Sequence, residues 1–226
     1  EMRKMIVQVS RNGHVYALDR MNGDFLYAGE YTRVNWAERD ERGKPVLKES
    51  LYEPADTMVF PGLYGGKNWP PASYSPDTHM LYIPTTEWGT RFIRREGDAR
   101  AGTMDLGGIP QFDTTGTGWV VAFDMLSGEI AWQKEMPGNF NWAGTLSTGG
   151  GLVFSGAPDG HVYAMNDETG EVLWKFQTGS GIYAPPTSFT IDGKQYIGVA
   201  SGTRNPVTRA GVATGIATGN YILFSL

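Results

Sequence analysis

Few of the residues that usually do chemistry are present in this sequence, and their spacing removes most familiar reactions. None of the 226 residues is cysteine. Disulfides, thiolate zinc ligands and thiol nucleophiles are therefore excluded within the chain. The three histidines are His14, His79 and His161. Two of them stand at equivalent places in a repeated segment, Asn12-Gly-His-Val-Tyr-Ala17 and Asp159-Gly-His-Val-Tyr-Ala164, so they report turn geometry rather than a shared metal. No Ser, His and Asp arrangement can be picked out by spacing. Gly179-x-Gly181-x-x-Ala184 has the letters of a dinucleotide fingerprint. Pro185 and Pro186, however, stand where the pyrophosphate-binding helix would have to begin. There is no Gly-x-x-x-x-Gly-Lys-Ser/Thr phosphate loop. A net charge of −5 leaves no basic face for nucleic acid. What remains is a set of single polar and aromatic residues in glycine-rich settings. Taken alone, Arg11 is a solvated turn arginine, Asn68 a loop asparagine, and Trp69 and Trp142 packing residues.

The elements that must position these residues are short strands. Gly occurs 31 times, and there are 7 Trp, 11 Tyr and 10 Phe, the composition of many strands joined by tight turns. Three segments align without gaps: Ala17 to Tyr27, Ala122 to Trp132 and Ala164 to Trp174. Their common pattern is Ala-x-Asp/Asn-x-x-x-Gly-x-x-x-aromatic. Before each turn the apolar residues alternate, as Val15 and Ala17 do against Tyr16 and Leu18, which predicts a strand. The Asp or Asn accepts backbone N–H bonds in an Asx-turn, Gly supplies a positive φ, and a second strand ends on a large ring. Ala122 and Ala164 lie 42 residues apart, the length of a four-stranded propeller blade. Ala17 and Ala122 lie 105 apart, room for one degenerate blade and insertions.

Further strands are predicted at 5–10, 72–75, 80–86, 152–156, 187–191, 195–200 and 221–226. Asn12-Gly13, Asp159-Gly160 and Asp192-Gly193 are hairpin dipeptides. The segments 38–56 and 89–118 break the pattern and read as long loops; the second carries Arg91, Arg94, Arg95 and Arg100. No 3.6-residue period stands out, so helix is minor. The expected fold is all-β, a single partial β-propeller domain over 1–226 with about four blades, some incomplete. No apolar run approaches the roughly 20 residues of a bilayer span. The first residues carry no signal-peptide pattern, so the protein is either cytosolic or secreted with its signal upstream of Glu1.

The repeat resembles the tryptophan-docking motif of the pyrroloquinoline-quinone (PQQ) dehydrogenases, which are eight-bladed propellers. Residues 8–23 resemble the strand and turn carrying the basic PQQ ligand of methanol and ethanol dehydrogenases. Pro61-Gly-Leu-Tyr-Gly-Gly-Lys-Asn68-Trp69-Pro-Pro is similar to that family's Gly-Gly-x-Asn-Trp-x-Pro segment. The segment from Asn141-Trp142 to Phe154 and the stretches 179–186 and 193–202 resemble the entry to the last blade and its closing strands. The resemblance runs from about Lys4 to Leu226.

It implies that Arg11 hydrogen-bonds the reactive carbonyl end of PQQ, that Asn68 contacts the cofactor, and that Trp69 and Trp142 wall the pocket. It implies no catalytic or metal-binding residue here, because the family's catalytic Asp, its calcium ligands, its vicinal disulfide and the Trp beneath the quinone all lie upstream of the matched region. The expected protein is a periplasmic enzyme oxidising a primary alcohol to an aldehyde with PQQ and calcium or a lanthanide. It would pass electrons to a cytochrome c-type acceptor, and this chain would be its C-terminal part, completed by a complementary N-terminal propeller part. Two other readings share the repeats: a non-catalytic protein-binding scaffold resembling the outer-membrane assembly lipoprotein, and a truncated pseudo-enzyme.

Overall fold

A computed structural model of the chain describes residues 4–48, 57–94, 97, 102, 108–113, 115–202 and 219–225. The strands among them are β1 (Met5–Val9), β2 (His14–Asp19), β3 (Phe25–Glu30), β4 (Ala37–Arg39), β5 (Pro45–Leu47), β6 (Ser73–Ser75), β7 (Met80–Glu87), β8 (Thr90–Arg94) and β9 (Gly108–Phe112). They continue with β10 (Thr117–Asp124), β11 (Glu129–Met136), β12 (Thr145–Thr148), β13 (Leu152–Gly156), β14 (His161–Asn166), β15 (Val172–Gln177), β16 (Thr187–Ile191), β17 (Lys194–Ser201) and β18 (Asn220–Ser225). No helix occurs among the described residues.

The chain divides into two compact units, Glu1–Lys67 with Thr86–Gly116, and Asn68–Thr85 with Thr117–Leu226. The first holds the sheet β1-β2-β3 and two hairpins, β4-β5 and β8-β9. Both hairpins fall in segments expected to be loops. Residues 37–47 pair Ala37 with Leu47, and 90–112 pair Thr90 with Phe112. Residues 49–56 and the arginines at 95 and 100 lie outside the described residues.

The second unit holds two four-stranded sheets, β6-β7-β10-β11 and β12-β13-β14-β15, and the three-stranded sheet β16-β17-β18. Strands consecutive in sequence pair antiparallel within them. Side chains alternate between the two faces of a strand, and this unit uses both faces. Val153 and Met165 pack with Tyr82, Val120 and Ala122 on one side of the sheet β12-β13-β14-β15. Phe154, Val162 and Ala164 pack with Ile197 and Val199 on the other. Sheets stacked through both faces are blades, and the expected all-β propeller architecture holds.

The repeat works as its residue types require. Asp19 Oδ1 accepts the Met21 N–H, Asp124 Oδ1 that of Leu126, and Asn166 Oδ1 those of Glu168 and Thr169. Gly23, Gly128 and Gly170 then take φ of 79°, 75° and 72° and donate back to the carbonyls of residues 19, 124 and 166. The pairing register slips immediately after Ala17, Ala122 and Ala164, so each repeat also carries a bulge at one fixed place. Asp192 and Gly193 both have positive φ, 50° and 77°, in a two-residue loop between the paired Ile191 and Lys194, a type I′ hairpin. The other two dipeptides sit in longer turns. Ser10 and Ala157 donate to the carbonyls of His14 and His161, and only the glycine of each dipeptide has positive φ.

One matched pair of substitutions separates backbone strain from packing. Gly23 and Gly170 have nearly the same φ, but a Cβ at Gly23 meets nothing within 4 Å, whereas one at Gly170 lies 2.6 Å from Trp132 Cε3. Gly23→Ala is expected to cost about 1 kcal/mol, the left-handed penalty, and Gly170→Ala at least about twice that. Urea unfolding of the two variants checks this; equal losses would contradict the packing role of Gly170.

Candidate cofactor site

Arg11 sits in the turn joining β1 to β2, where three contacts hold it. Its carbonyl accepts the Gly66 N–H at 2.9 Å. Its guanidinium Nη2 donates to the Leu63 carbonyl at 2.6 Å. Gly65, at φ 76°, passes so close that a Cβ there would lie 2.8 Å from the Arg11 oxygen and 2.9 Å from its Cβ. Only glycine lets residues 62–66 run along the arginine. Those residues are anchored in turn: Gly62 donates to the Trp88 carbonyl, Gly65 to that of Gly62, and Thr86 to that of Gly66. The Arg11 side chain remains exposed. One of its five N–H donors is spent on Leu63, which fixes the plane of the fork. Lys67, at the end of the segment, is half-buried, and burial lowers its pKa below the ordinary lysine value.

The other three candidates lie in the second unit. Asn68 turns its Oδ1 back to accept the Trp69 N–H at 2.9 Å. Trp69 is 64% exposed and Trp142 only 7%, and their ring centroids are 6.2 Å apart at 59°. Trp142 also meets Phe140 edge-on at 5.7 Å, and Phe140 stacks on Tyr183 at 5.9 Å. Main-chain and hydroxyl bonds lock the two tryptophan segments. Thr145 N–H donates to the Pro71 carbonyl at 3.1 Å, and Ser73 N–H to Thr145 Oγ1 at 3.0 Å. Gly144 clears Pro71 and Pro185, since a Cβ there would lie 3.1 and 2.9 Å from them. The structure thus brings Trp69 and Trp142 together, 73 residues apart in sequence, with Asn68 beside Trp69. Arg11 belongs to the other unit.

Sequence reasoning missed two supports. Tyr31, fully buried, donates its hydroxyl to the Ser10 carbonyl at 2.6 Å. Gly65 is the second. The signal for Tyr31 is the repeat itself: Tyr31 N–H bonds the Gly13 carbonyl as Thr178 N–H bonds that of Gly160, so aligning the repeats four residues further would have marked it. Trp132, read as structural, is structural: its Nε1 donates to the Asp167 carbonyl at 3.0 Å.

PQQ is a planar, polycarboxylate quinone. It asks for cationic and amide donors at its edge and aromatic faces along its plane. The fixed guanidinium of Arg11 in the first unit is a group of that kind, and so, in the second, are the Asn68 amide and the exposed indole face of Trp69. Among the described residues no group of three or more His, Asp or Glu is placed to hold a metal ion.

The stacked sheets and the docked tryptophan define a β-propeller of the quinoprotein type. Comparison with known proteins gives the same answer. Residues 118–197 match the PQQ family described as "Glucose/ethanol/alcohol dehydrogenase, beta-propeller domain". The quinoprotein ethanol dehydrogenase of Pseudomonas aeruginosa is 37% identical over 216 residues, covering 88% of this chain and 34% of that protein. The crystal structure of quinohemoprotein alcohol dehydrogenase from Comamonas testosteroni superposes with a TM-score of 0.78 at 31% identity, over 88% of this chain and 32% of the other. A europium-containing methanol dehydrogenase superposes with a TM-score of 0.80 at 32% identity, over 89% of this chain and 37% of the other. The chain is a relative of the PQQ-dependent alcohol dehydrogenases, and it spans about a third of the length of the curated relatives it matches.

Proposed function

We propose that this chain is the C-terminal part of a quinoprotein dehydrogenase that oxidises alcohols to aldehydes. In this reading it supplies one side of the cofactor pocket and a complementary N-terminal propeller part supplies the rest, including the catalytic base and the metal ligands. The observation that carries it is Arg11: an exposed guanidinium held by the Leu63 carbonyl, on a backbone whose carbonyl is held by the Gly66 N–H, in a segment similar to the one that holds the basic cofactor ligand in the family. When bound, PQQ supplies a quinone that accepts hydride. The residues of this chain would orient it and stabilise negative charge on it. Arg11 would present N–H donors to a quinone oxygen of the bound group, and a preset cation there costs no reorganisation. Asn68 adds an amide at the cofactor edge. Trp69 and Trp142 exclude water and offer flat apolar surface.

Calcium or a lanthanide is the metal of this proposal; a europium-containing methanol dehydrogenase among the similar structures supports the lanthanide. The electron acceptor is a cytochrome c-type protein. Relatives with haem of their own, such as the Comamonas testosteroni quinohemoprotein, support that route. The compartment is the periplasm, in keeping with a chain without thiols.

The test is PQQ titration of the natural full-length protein, with calcium present. Losing one charge-assisted contact is worth about 1.5–3 kcal/mol. Arg11→Ala is therefore expected to weaken PQQ binding about 10- to 100-fold and to slow alcohol-dependent dye reduction. An Arg11→Ala protein with unchanged PQQ affinity would remove Arg11 from the site and the leading support from this reading.

A further inference from the structure

Tyr31 follows β3 and is fully buried. Its backbone N–H completes the Arg11 turn by bonding the Gly13 carbonyl at 3.0 Å. The third repeat makes the same turn with Thr178 in the equivalent place, and that hydroxyl bonds only the Gly160 and Ser180 carbonyls of its own segment, each at 2.9 Å. The turn itself therefore needs no tyrosine. The ring of Tyr31 does something the threonine does not: it reaches a second segment. Its hydroxyl donates to the Ser10 carbonyl at 2.6 Å, directly before Arg11, and the Lys67 main chain hydrogen-bonds the same hydroxyl. Gly66 crosses so closely that a Cβ there would lie 2.9 Å from that oxygen. One hydroxyl thus gives a hydrogen bond to the turn that carries Arg11 and takes one from the segment that clamps it. Burial holds the phenol pKa above its ordinary value, so the donated proton stays in place at any working pH.

We propose that Tyr31 is a positioning residue for the cofactor: its hydroxyl locks the turn at residues 10–13 to the segment 62–67, so that Arg11 is preset toward an anionic quinone oxygen. The inference rests on the reading of Arg11 given above. Preorganisation of this kind raises affinity by lowering the ordering cost at binding, not by adding a contact. Tyr31→Phe removes one oxygen and keeps the ring.

The experiment uses the natural full-length protein in four forms: wild type, Tyr31→Phe, Arg11→Ala and the double variant. PQQ affinity is read by fluorescence titration and the apo unfolding midpoint by thermal scan. Tyr31→Phe is expected to weaken PQQ binding about 5- to 20-fold, and the double variant to bind no more weakly than Arg11→Ala alone, because the effects of coupled residues do not add. A merely structural tyrosine would move the unfolding midpoint and leave affinity alone. Wild-type affinity in Tyr31→Phe, or full additivity in the double variant, would overturn the proposal. If Arg11→Ala itself binds PQQ as wild type does, the cofactor reading fails first, and that arm shows it. If Tyr31→Phe does not fold, Gly66→Ala, whose methyl would press on the same hydroxyl and on Thr32 Cγ2, takes its place with the same expectation.

Discussion

Trp132→Ala is expected to remove about 3–5 kcal/mol of folding stability, the range for emptying a large aromatic site. Trp132 lies on β11 and packs against the cluster of Tyr82, Val120, Ala122, Met136, Val153 and Met165 that joins the sheet β6-β7-β10-β11 to the sheet β12-β13-β14-β15. Its ring centroid is 5.8 Å from that of Tyr82, and Gly170 of the following repeat faces its six-membered ring. Its Nε1 donates to the Asp167 carbonyl at 3.0 Å, and the Tyr82 hydroxyl bonds the same carbonyl at 3.1 Å. Truncation therefore opens a cavity between two sheets and strips a donor from a buried turn. Trp132→Phe keeps most of the packing and loses the hydrogen bond, so about 1 kcal/mol is expected. Trp174 holds the same place one repeat later, but it is 40% exposed and leans on Phe176 and Phe224. Its alanine variant is expected to lose less than half as much. Denaturant unfolding followed by far-ultraviolet circular dichroism ranks the three. A Trp132→Ala loss no greater than that of Trp174→Ala would refute the docking role.

That docking was legible because it is local and periodic. The Asp or Asn, the Gly and the ring sit at fixed offsets, each demanded by one physical need. The hairpins β4-β5 and β8-β9 were not legible for the opposite reason. Ala37-Glu-Arg39 is three residues long and shows no burial alternation that would mark a strand, Gly108-Ile-Pro-Gln-Phe112 carries a glycine and a proline that argue against one, and what orders β8 includes a bridge from Val59 to Thr90, far off in sequence. The candidate site divides in the same way. Arg11, Asn68 and Trp69 are carried by contiguous motifs and can be read. Tyr31 acts through a hydroxyl on two main-chain groups, those of Ser10 and Lys67, and main-chain partners leave no mark in residue type. Trp69 and Trp142 meet because Thr145 binds Pro71 and Ser73 across two sheets, a pairing no local pattern encodes.

The last expected result concerns acid. His14, beside the Arg11 turn, is fully buried, and neither ring nitrogen has a hydrogen-bond partner. Its ring lies 5.8 Å from Tyr16 and 5.6 Å from Trp36. Burial first, and the nearby Arg39 charge second, push its pKa down to about 4. Glu30 lies 3.8 Å from His14 Nε2 but equally 3.8 Å from Arg39, so its charge is shared and does not rescue the imidazolium. The unfolded chain binds this proton near pH 6.5, and the folded protein resists it until about pH 4. The unfolded state therefore carries more protons between those values, and stability falls as pH drops through that window. Above pH 6.5 His14 is neutral in both states and contributes no slope. The full difference is roughly 3 kcal/mol at 1.36 kcal/mol per pH unit. Asp167 acts in the other direction, since burial raises its carboxyl pKa, so the comparison must be with a variant that changes only the histidine. His14→Phe keeps a ring between Tyr16 and Trp36 and cannot titrate. Urea midpoints at pH 7.5, 5.5 and 4.5 are expected to fall more steeply in the wild type than in His14→Phe, with the gap between them closing or reversing toward acid. Parallel pH profiles would show that His14 takes its proton as readily folded as unfolded, and would overturn the account of its burial.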